Sequence, residues 1–367
     1  MSNTLGTLIR LTLFGESHGP CVGAVVDGLP AGLAVDEAYI DAMMNQRMAV
    51  GTLSTQRHEA DIPRFVSGVK DGFTTGAPMT VIIENNDVRS GDYDVLKNVA
   101  RPGHADWPAR ARYGNFYDWR GGGHFSGRLT APIVAAAAVV RQALERQGVL
   151  IGSHIASIAG IQDIAFDFNP VEQIRALNAT DFAVLDAQAS QRMQAAVRAA
   201  ADEGDSVGGI LETAVCGLAA GLGEPWFDSV EGALARALFS IGGVKGVEFG
   251  AGFELARMKG SQANDPLRVV DSRVTALTNN AGGINGGLTN GMPMVFRTVI
   301  KPTSSVSKPQ ETVDFSSMEN TGLHLDGRHD PAIIHRARVV VDSITALVIA
   351  DLIAQRRGAD ALGGGDL

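Results

Sequence analysis

A short pattern of residues occurs twice in this chain, 189 positions apart. Residues 15–19 read GESHG and residues 204–208 read GDSVG, while residues 27–33 (DGLPAGL) are matched by residues 216–222 (CGLAAGL). The repeat predicts a duplicated unit of turn, strand, turn and helix, and two such units can pack about a pseudo-twofold axis. We therefore expect a single domain over residues 1–360, with residues 361–367 as a flexible tail.

One ionisable residue breaks the match between the two copies. His18 follows Ser17 in the first copy, whereas the second copy has Val207 at the same place. Because the glycines that shape the turn recur and the imidazole does not, the difference favours a chemical role for His18. The alternative is a loop histidine that hydrogen-bonds nearby backbone.

The overall charge limits the partners of the chain. It has 367 residues, 45% of them apolar, and a formal charge of −9 at pH 7, so we expect no generic binding to nucleic acid or to anionic membranes. Five arginines nevertheless fall within residues 101–128. They predict a local, enclosed basic patch.

Cysteine usage and hydropathy fit a reducing compartment. Cys21 and Cys216 give neither a disulfide framework nor a metal-binding pattern, so no metal is expected. The N-terminal residues lack the apolar core of a secretory signal, and every apolar stretch is interrupted before the roughly 18 residues of a membrane span. We expect a cytoplasmic protein that does not cross a membrane.

The spacing of apolar residues predicts both strands and helices. Strands are expected at residues 21–26, 78–84 and 294–300. Helices are expected at residues 34–44, with Asp36 as N-cap, and at residues 130–147, 185–202 and 339–356. Four consecutive alanines at residues 135–138 predict close packing of their helix against a neighbour.

A compact Pro-Gly turn carries three ionisable side chains, Arg101, His104 and Asp106. Asp106 could orient the imidazole of His104, an arrangement that suits catalysis. The alternative is a structural turn in which Arg101 and Asp106 pair.

Two glycine-rich loops are candidates for ligand binding. Residues 120–128 (RGGGHFSGR) precede a predicted helix, whose free N–H groups attract an anion, and Arg128 can add a charge-assisted hydrogen bond. Residues 279–287 (NNAGGINGG) would let a flat ligand approach the backbone. The alternatives are a flexible connector for the first loop and a mobile surface loop for the second.

Two further segments hold candidate binding and catalytic groups. Residues 301–305 (KPTSS) offer a cation, three hydroxyls and several N–H groups, a set that suits a phosphate monoester, although Ser/Thr turns without a ligand are common. Residues 328–331 (RHDP) place Asp330 beside a cation and an imidazole, so Asp330 is a candidate base or proton relay. The alternative is that Asp330 caps a helix starting near Pro331.

Taken in this order, the motifs resemble those of the chorismate synthase family. The similarity runs from residues 14–19 (FGESHG) to residues 327–331 (GRHDP), which is nearly the whole chain. Between these ends it includes residues 101–106 (RPGHAD), 204–206 (GDS), 244–248 (VKGVE) and 301–305 (KPTSS). Several separate motifs in one order make a chance match improbable.

The resemblance implies an α+β fold, a β-α-β sandwich with helices between antiparallel sheets, assembled as a homotetramer. It implies an enzyme of the shikimate pathway that converts 5-enolpyruvylshikimate 3-phosphate to chorismate and phosphate by an anti-1,4-elimination. The family requires reduced FMN, although the reaction has no net redox change. Such chemistry needs cations and a protonated histidine for the leaving phosphate, and the flavin supplies electron density as the C–O bond breaks.

The resemblance also implies roles for individual residues. His18 protonates the departing phosphate, His104 lies near the flavin ring and tunes its protonation, and Asp330 helps to take the substrate proton by way of the flavin. The substrate is held by Ser17, Arg47, Arg101 and Arg128. FMN is contacted by His104, Ser126, Gly242, Gly243, Gly283, Lys301, Pro302, Thr303, Ser304, Ser305 and Arg328.

The chain departs from the family pattern at a few positions. Met48 lies in a segment (residues 47–50, RMAV) that replaces an Arg-Arg-Pro-Gly run, Leu53 replaces an arginine, residues 124–125 (HF) replace Arg-Ser, and residues 242–243 (GG) replace Asn-Ala. Two alternatives therefore stay open. One is a divergent relative that binds FMN and an anionic ligand for other elimination or reductase chemistry, and the other is a catalytically silent binding protein.

Overall fold

The architecture is taken from a computed structural model, which describes residues 3–48, 61–85, 96–325 and 329–364. The elements of the first part of the chain are β1 (Thr4–Leu5), β2 (Arg10–Gly15), β3 (Cys21–Asp27), α1 (Glu37–Arg47), β4 (Arg64–Ser67), β5 (Val69–Lys70), β6 (Phe73–Thr74), β7 (Met79–Glu84), α2 (Asp106–Tyr113) and α3 (Thr130–Arg146).

The second part of the chain contributes the remaining strands and helices. They are β8 (Leu150–Ile158), β9 (Ile161–Gln162), α4 (Val171–Asn178), α5 (Ala187–Asp202), β10 (Gly209–Cys216), α6 (Val230–Leu238), β11 (Val244–Phe249), α7 (Gly260–Ala263), β12 (Leu267–Val270), β13 (Arg273–Ala276), β14 (Ile284–Asn285), β15 (Leu288–Thr289), β16 (Met294–Ile300), β17 (Gln310–Asp314), β18 (Glu319–Leu323) and α8 (Ile334–Arg357).

Two five-stranded sheets form the main frame. The first has the strand order β1-β2-β3-β7-β4 and the second the order β11-β16-β10-β8-β9. All their neighbouring strands run antiparallel. The mixture of antiparallel sheets and helices confirms the predicted α+β class.

Helices α3 and α8 lie at the buried centre of the molecule. Helix α3 contacts β3 and β7 of the first sheet, α8 contacts β8 and β10 of the second, and the two helices contact each other. Residues 135–138 of α3 are completely buried, so the predicted close packing of the alanine run is confirmed. A helix that is apolar on all sides is typical of such a central position.

The two copies of the sequence repeat make matching contacts. The hydroxyl of Thr74 donates to the carbonyl of Pro30 over 2.7 Å, and the hydroxyl of Thr289 donates to the carbonyl of Ala219 over 2.7 Å. Pro30 and Ala219 are 189 positions apart, like the motifs themselves. The same local architecture is therefore built once beside each sheet.

The predicted elements agree with the structure in position, with differences at their ends. Asp36 is the N-cap of α1, accepting hydrogen bonds from the backbone N–H groups of Ala38 and Tyr39, as predicted. Helix α8 begins at Ile334, earlier than the predicted residue 339, and its N-cap is Ile333, without a side-chain cap. The alternative in which Asp330 caps this helix is therefore wrong.

Two predictions about loops and ends need correction. Gly283 has a φ of 80°, and a Cβ there would lie 2.6 Å from the carbonyl oxygen of Pro293, so residues 279–287 are packed against neighbouring backbone and are not a loose surface loop. Ala361 and Leu362 are buried within a turn of 3₁₀ helix, so the predicted flexible tail does not begin at residue 361. Among the described residues, no helix combines the length and the apolar character needed to cross a membrane.

Candidate active site

A loop of three glycines lies against both candidate catalytic histidines. Gly121, Gly122 and Gly123 all have positive φ values, between 54° and 84°, which glycine adopts without steric cost. A Cβ on Gly121 would fall 2.6 Å from Nε2 of His18, and a Cβ on Gly122 would fall 3.2 Å from Cε1 of His104. His18 and His104, 86 positions apart in the sequence, therefore border the same loop.

The turn that carries Ser17 and His18 is fixed to this loop by backbone contacts. The N–H of Ser17 donates to the carbonyl of Gly123 over 3.1 Å. Nδ1 of His124 lies 2.8 Å from the carbonyl oxygen of Gly15, so this side chain contacts the same turn. These contacts place the imidazole of His18 at the rim of the glycine loop.

Asp106 holds the His104 turn together. Its Oδ1 lies 2.9 Å from Nδ1 of His104 and accepts a hydrogen bond of 2.8 Å from Nη2 of Arg101. Burial alone would raise the pKa of Asp106, but the hydrogen bonds from Arg101 and His104 hold that pKa well below its usual range. Asp106 both pairs with Arg101 and orients the His104 ring. The two arrangements that the sequence left as alternatives therefore occur together.

The two predicted substrate cations Arg47 and Arg128 share one carboxylate. Nη1 of Arg47 lies 2.5 Å from Oδ2 of Asp61, and Nη1 of Arg128 donates to Oδ1 of the same group. Arg47 also donates from Nε to the hydroxyl of Thr130 over 2.9 Å. Among the described residues, this cluster holds two guanidinium groups and one carboxylate.

An asparagine connects this cluster to the turn that carries His18. Nε of Arg128 donates to Oδ1 of Asn85 over 3.0 Å. Nδ2 of Asn85 in turn donates to the carbonyls of Glu16 and Gly19, over 3.0 Å and 2.9 Å. The arginine and histidine motifs are thus parts of one hydrogen-bonded structure.

Asp330 reaches the same region through an arginine of α8. Its Oδ2 lies 2.7 Å from Nη1 of Arg336, and Nε of Arg336 donates to the backbone carbonyl of Arg47 over 2.9 Å. The Asp330 side chain is 15% exposed. The candidate base is therefore linked through Arg336 to the backbone of Arg47, one of the candidate substrate cations.

The segment that begins at Lys301 lies beside the His104 turn. Nζ of Lys301 donates to the carbonyl of Gly103 over 2.8 Å, and its backbone N–H donates to the carbonyl of Gly243 over 2.9 Å. Burial, together with the charge of Lys245, lowers the pKa of Lys301. The Cβ of Ser304 lies 3.5 Å from where a Cβ on Gly103 would be.

The remaining cofactor candidates in this segment differ in their surroundings. The ring of Pro302 packs against Gly208, and Ser305 is half-buried. The hydroxyl of Thr303 is buried and has no hydrogen-bond partner within the described part of the chain. A Cβ on Gly242 would meet only open space.

Two of the predicted cofactor residues lie apart from this arrangement or make a contact of another kind. Gly283 packs against Met294 at the start of β16, whereas Lys301 follows the end of that strand, about 20 Å away at the usual rise of a strand. The hydroxyl of Ser126 accepts from the N–H of Arg128 over 3.3 Å and so caps a turn. Arg328 lies outside the described residues.

Asp61, Asn85 and Arg336 join the site although the sequence analysis did not single them out. Each stands outside a glycine-rich or Ser/Thr-rich segment. Their partners are between 6 and 289 positions away. No local signal in the sequence could have identified them.

Fold and site together define an enzyme that acts on an anionic small molecule. Positive side chains converge near two imidazoles and a carboxylate, and glycine backbone leaves room for close approach. Such groups suit stabilisation of a leaving anion together with proton transfer.

Comparison with known proteins identifies the family. The model of the chorismate synthase family matches residues 9–354. The chorismate synthase of Korarchaeum cryptofilum is 44% identical over 356 residues, which cover 96% of this chain and 98% of the relative. That of Aeropyrum pernix is 46% identical over 354 residues, covering 96% of this chain and 93% of the relative.

A solved structure agrees with these matches. It is described as a crystal structure of chorismate synthase and superimposes with a TM-score of 0.75 at 27% sequence identity, covering 96% of this chain and 94% of that one. The chain belongs to the chorismate synthase family. It is an enzyme of the shikimate pathway with chorismate synthase activity.

Proposed function

We propose that the site around the glycine loop converts 5-enolpyruvylshikimate 3-phosphate to chorismate and phosphate with reduced FMN present. In this 1,4-elimination the C–O bond to phosphate breaks, the substrate loses one proton, and a second ring double bond forms with no net oxidation. The observation that carries the proposal is the contact of one glycine loop with both His18 and His104. The turn that carries His18 donates from Ser17 to this loop, and it accepts a hydrogen bond from Asn85, which in turn accepts one from Arg128.

His18 is proposed to protonate the departing phosphate, with Ser17, Arg47 and Arg128 holding the anionic groups of the substrate. Charge-assisted hydrogen bonds from guanidinium groups to phosphate or carboxylate are among the strongest available to a protein. Arg101 is the least direct of the proposed substrate contacts, because Asp106 already accepts its hydrogen bonds. Arg101 then acts mainly by adding positive charge behind His104.

Asp330 is proposed to help take the proton that leaves the substrate carbon. A carboxylate can act as a general base, and Oδ2 of Asp330 lies 2.7 Å from Nη1 of Arg336. The proposed base and the proposed acid are thus different residues, as an elimination that moves a proton away from one atom and onto another requires.

The proposed FMN contacts are His104, Ser126, Gly242, Gly243, Gly283, Lys301, Pro302, Thr303, Ser304, Ser305 and Arg328. The buried hydroxyl of Thr303, two residues after Lys301 in the chain, suits a phosphate monoester. The open space at Gly242 leaves room for a ligand. When bound, the reduced flavin supplies electron density to the substrate as the C–O bond breaks. His104 would tune the protonation of the flavin ring.

We propose that the chain works in the cytoplasm as a homotetramer whose subunits each combine two pseudo-twofold-related halves in a β-α-β sandwich. The matching threonine contacts beside the two sheets support the two halves. The ribbon of β12 and β13 exposes Leu267, Val269 and Val274, and such a two-stranded apolar ribbon is expected to pack against something. A contact between Gly283 and FMN would have to come from a second copy of the chain.

An anaerobic assay tests the proposed reaction. The protein is mixed with reduced FMN and 5-enolpyruvylshikimate 3-phosphate, and chorismate absorbance and phosphate release are followed together. Equal amounts of both products are expected. Flavin binding without chorismate would favour a divergent relative with different elimination or reductase chemistry, and no flavin binding would favour a silent binding protein.

A further inference from the structure

Asp61 lies between Arg47 and Arg128 in a nearly closed environment. The exposed fraction of the side chain is 8% for Arg47, 5% for Asp61 and 9% for Arg128. Each carboxylate oxygen takes one arginine: Oδ2 faces Arg47 and Oδ1 faces Arg128. The carboxylate is therefore a bridge between two cations and is shielded from water.

Both arginines are also fixed on their other sides. Nη2 of Arg47 donates to the carbonyl of Gly127 over 3.1 Å, and the hydroxyl of Thr130 donates to that same carbonyl over 2.6 Å. Nη2 of Arg128 donates to the carbonyl of Glu84, at the end of β7, over 3.1 Å. The two guanidinium groups thus approach from different elements and meet at Asp61.

Electrostatics explains why a carboxylate is needed at this point. Arginine stays charged at all physiological pH values, so two buried guanidinium groups facing one another repel. Within the described part of the chain, the Asp61 carboxylate between them offsets that repulsion, and these three side chains together carry a net charge of +1. The cluster can therefore be preformed and still attract an anion.

We propose that Asp61 is a positioning residue for the chorismate synthase reaction, which holds Arg47 and Arg128 side by side as a preformed clamp for a substrate anion. This rests on the proposed function, in which both arginines bind the substrate. Asp61 also acts on His18 at a distance, because Arg128 bonds Asn85 and Asn85 bonds the turn on both sides of His18. Preorganised groups of this kind lower the free energy needed to bind and orient a substrate.

The test is a set of steady-state measurements on Asp61→Asn with saturating reduced FMN. Asparagine keeps the shape and one acceptor oxygen but removes the charge. The KM for 5-enolpyruvylshikimate 3-phosphate is expected to rise about tenfold or more, with a smaller fall in kcat. Asp61→Glu, which restores the charge on a longer side chain, is expected to recover part of the loss. FMN affinity and the melting temperature serve as readouts of the fold.

A matched control is Asp27→Asn, which removes an exposed ion pair with Arg10 and should leave KM unchanged. The Arg128→Lys variant distinguishes the positioning role of Asp61 from the substrate-binding role of Arg128. If Arg128→Lys raises KM and Asp61→Asn leaves it unchanged or lowers it, the positioning role is wrong and the substrate role of Arg128 stands. If neither variant changes KM, both are wrong.

Discussion

Gly121 lies so close to His18 that a Cβ on the glycine would be 2.6 Å from both Cδ2 and Nε2 of the imidazole. No side chain fits in this space without moving the ring. The glycine therefore has two functions, since it adopts a φ of 55° and it also lets the backbone touch the proposed acid. The position of the imidazole depends on a residue that has no side chain.

Replacing Gly121 by alanine is expected to slow turnover without loss of the fold. The added methyl group displaces the His18 ring, and a displacement of about 1 Å can lower a rate about 100-fold. The measurement is kcat for chorismate formation beside the affinity for FMN. Gly160→Ala is the control, because Gly160 also has a positive φ, of 79°, but a Cβ there meets nothing within 4 Å. A Gly121→Ala enzyme as active as the Gly160→Ala enzyme would contradict this account.

Asp106 is expected to stabilise the fold through its ionised form. Its pKa is lower in the folded protein than in the unfolded chain, so its contribution is fully present above about pH 4 and is lost as the pH falls towards the folded value. Asp106→Asn should lower the free energy of unfolding by about 3 kcal/mol at pH 7, because Arg101 is left buried without its carboxylate.

Denaturant titrations at pH 7 and at about pH 3 measure this contribution. The difference between Asp106→Asn and the unaltered protein should shrink at the lower pH. Glu172→Gln breaks an ion pair with Arg175 whose side chains are 82% and 60% exposed, and should cost less than about 1 kcal/mol. A difference for Asp106→Asn that is the same at both pH values would show that ionisation is not the cause.

His154 is expected to stabilise the second sheet most strongly at low pH. It is fully buried between Asp163, 2.8 Å from Nδ1, and Glu212, 3.0 Å from Nε2. Burial opposes the charged imidazole, but the two carboxylates outweigh burial and raise the pKa of His154. The stabilisation is therefore complete below the ordinary histidine pKa of about 6.5 and is lost as the pH rises through the higher folded value. His154→Gln should destabilise the protein more at pH 6 than at pH 9, as measured by urea unfolding.

His335 is expected to affect the pH dependence of stability in the opposite direction. Burial lowers its pKa to about 4, so the folded protein is penalised as the pH falls from about 6.5 towards 4. His335→Gln should therefore gain stability relative to the unaltered protein over that interval, while His154→Gln shows no such gain. If the stabilities of the two variants depend on pH in the same way, the pKa directions given for His154 and His335 are both contradicted.

The sequence predicted the elements whose side-chain pattern is periodic and unbroken. The strand at Met294–Ile300 and the helix at Thr130–Arg146 agree with the prediction almost to the residue, because both are nearly continuous apolar runs. Strand β8 was not predicted, since Ser153, His154 and Ser157 interrupt its apolar pattern. Ser153 and His154 are buried because they find partners on other elements, such as Thr213 and Glu212 on β10.

The sequence predicted the candidate site only where a functional residue stands in a recognisable local motif. The turn with His18, the turn with His104 and the segment at Lys301 each stand out by their glycine, proline or serine neighbours. Asp61 stands two residues before Pro63 but in no glycine-rich or serine-rich motif, and its two arginine partners are 14 and 67 positions away. Its place between them depends on the packing of separate elements, which no short pattern encodes.

The most direct test of the central claim is single-turnover phosphate release by His18→Ala with reduced FMN bound. If His18 protonates the leaving phosphate, the rate of phosphate release should fall about 100-fold or more, while the affinity for FMN stays that of the unaltered enzyme. The rate of phosphate release and the affinity for FMN are measured on the same preparation, and only the rate should fall. Phosphate release at an unchanged rate, or a loss of FMN binding as large as the loss of rate, would contradict the account.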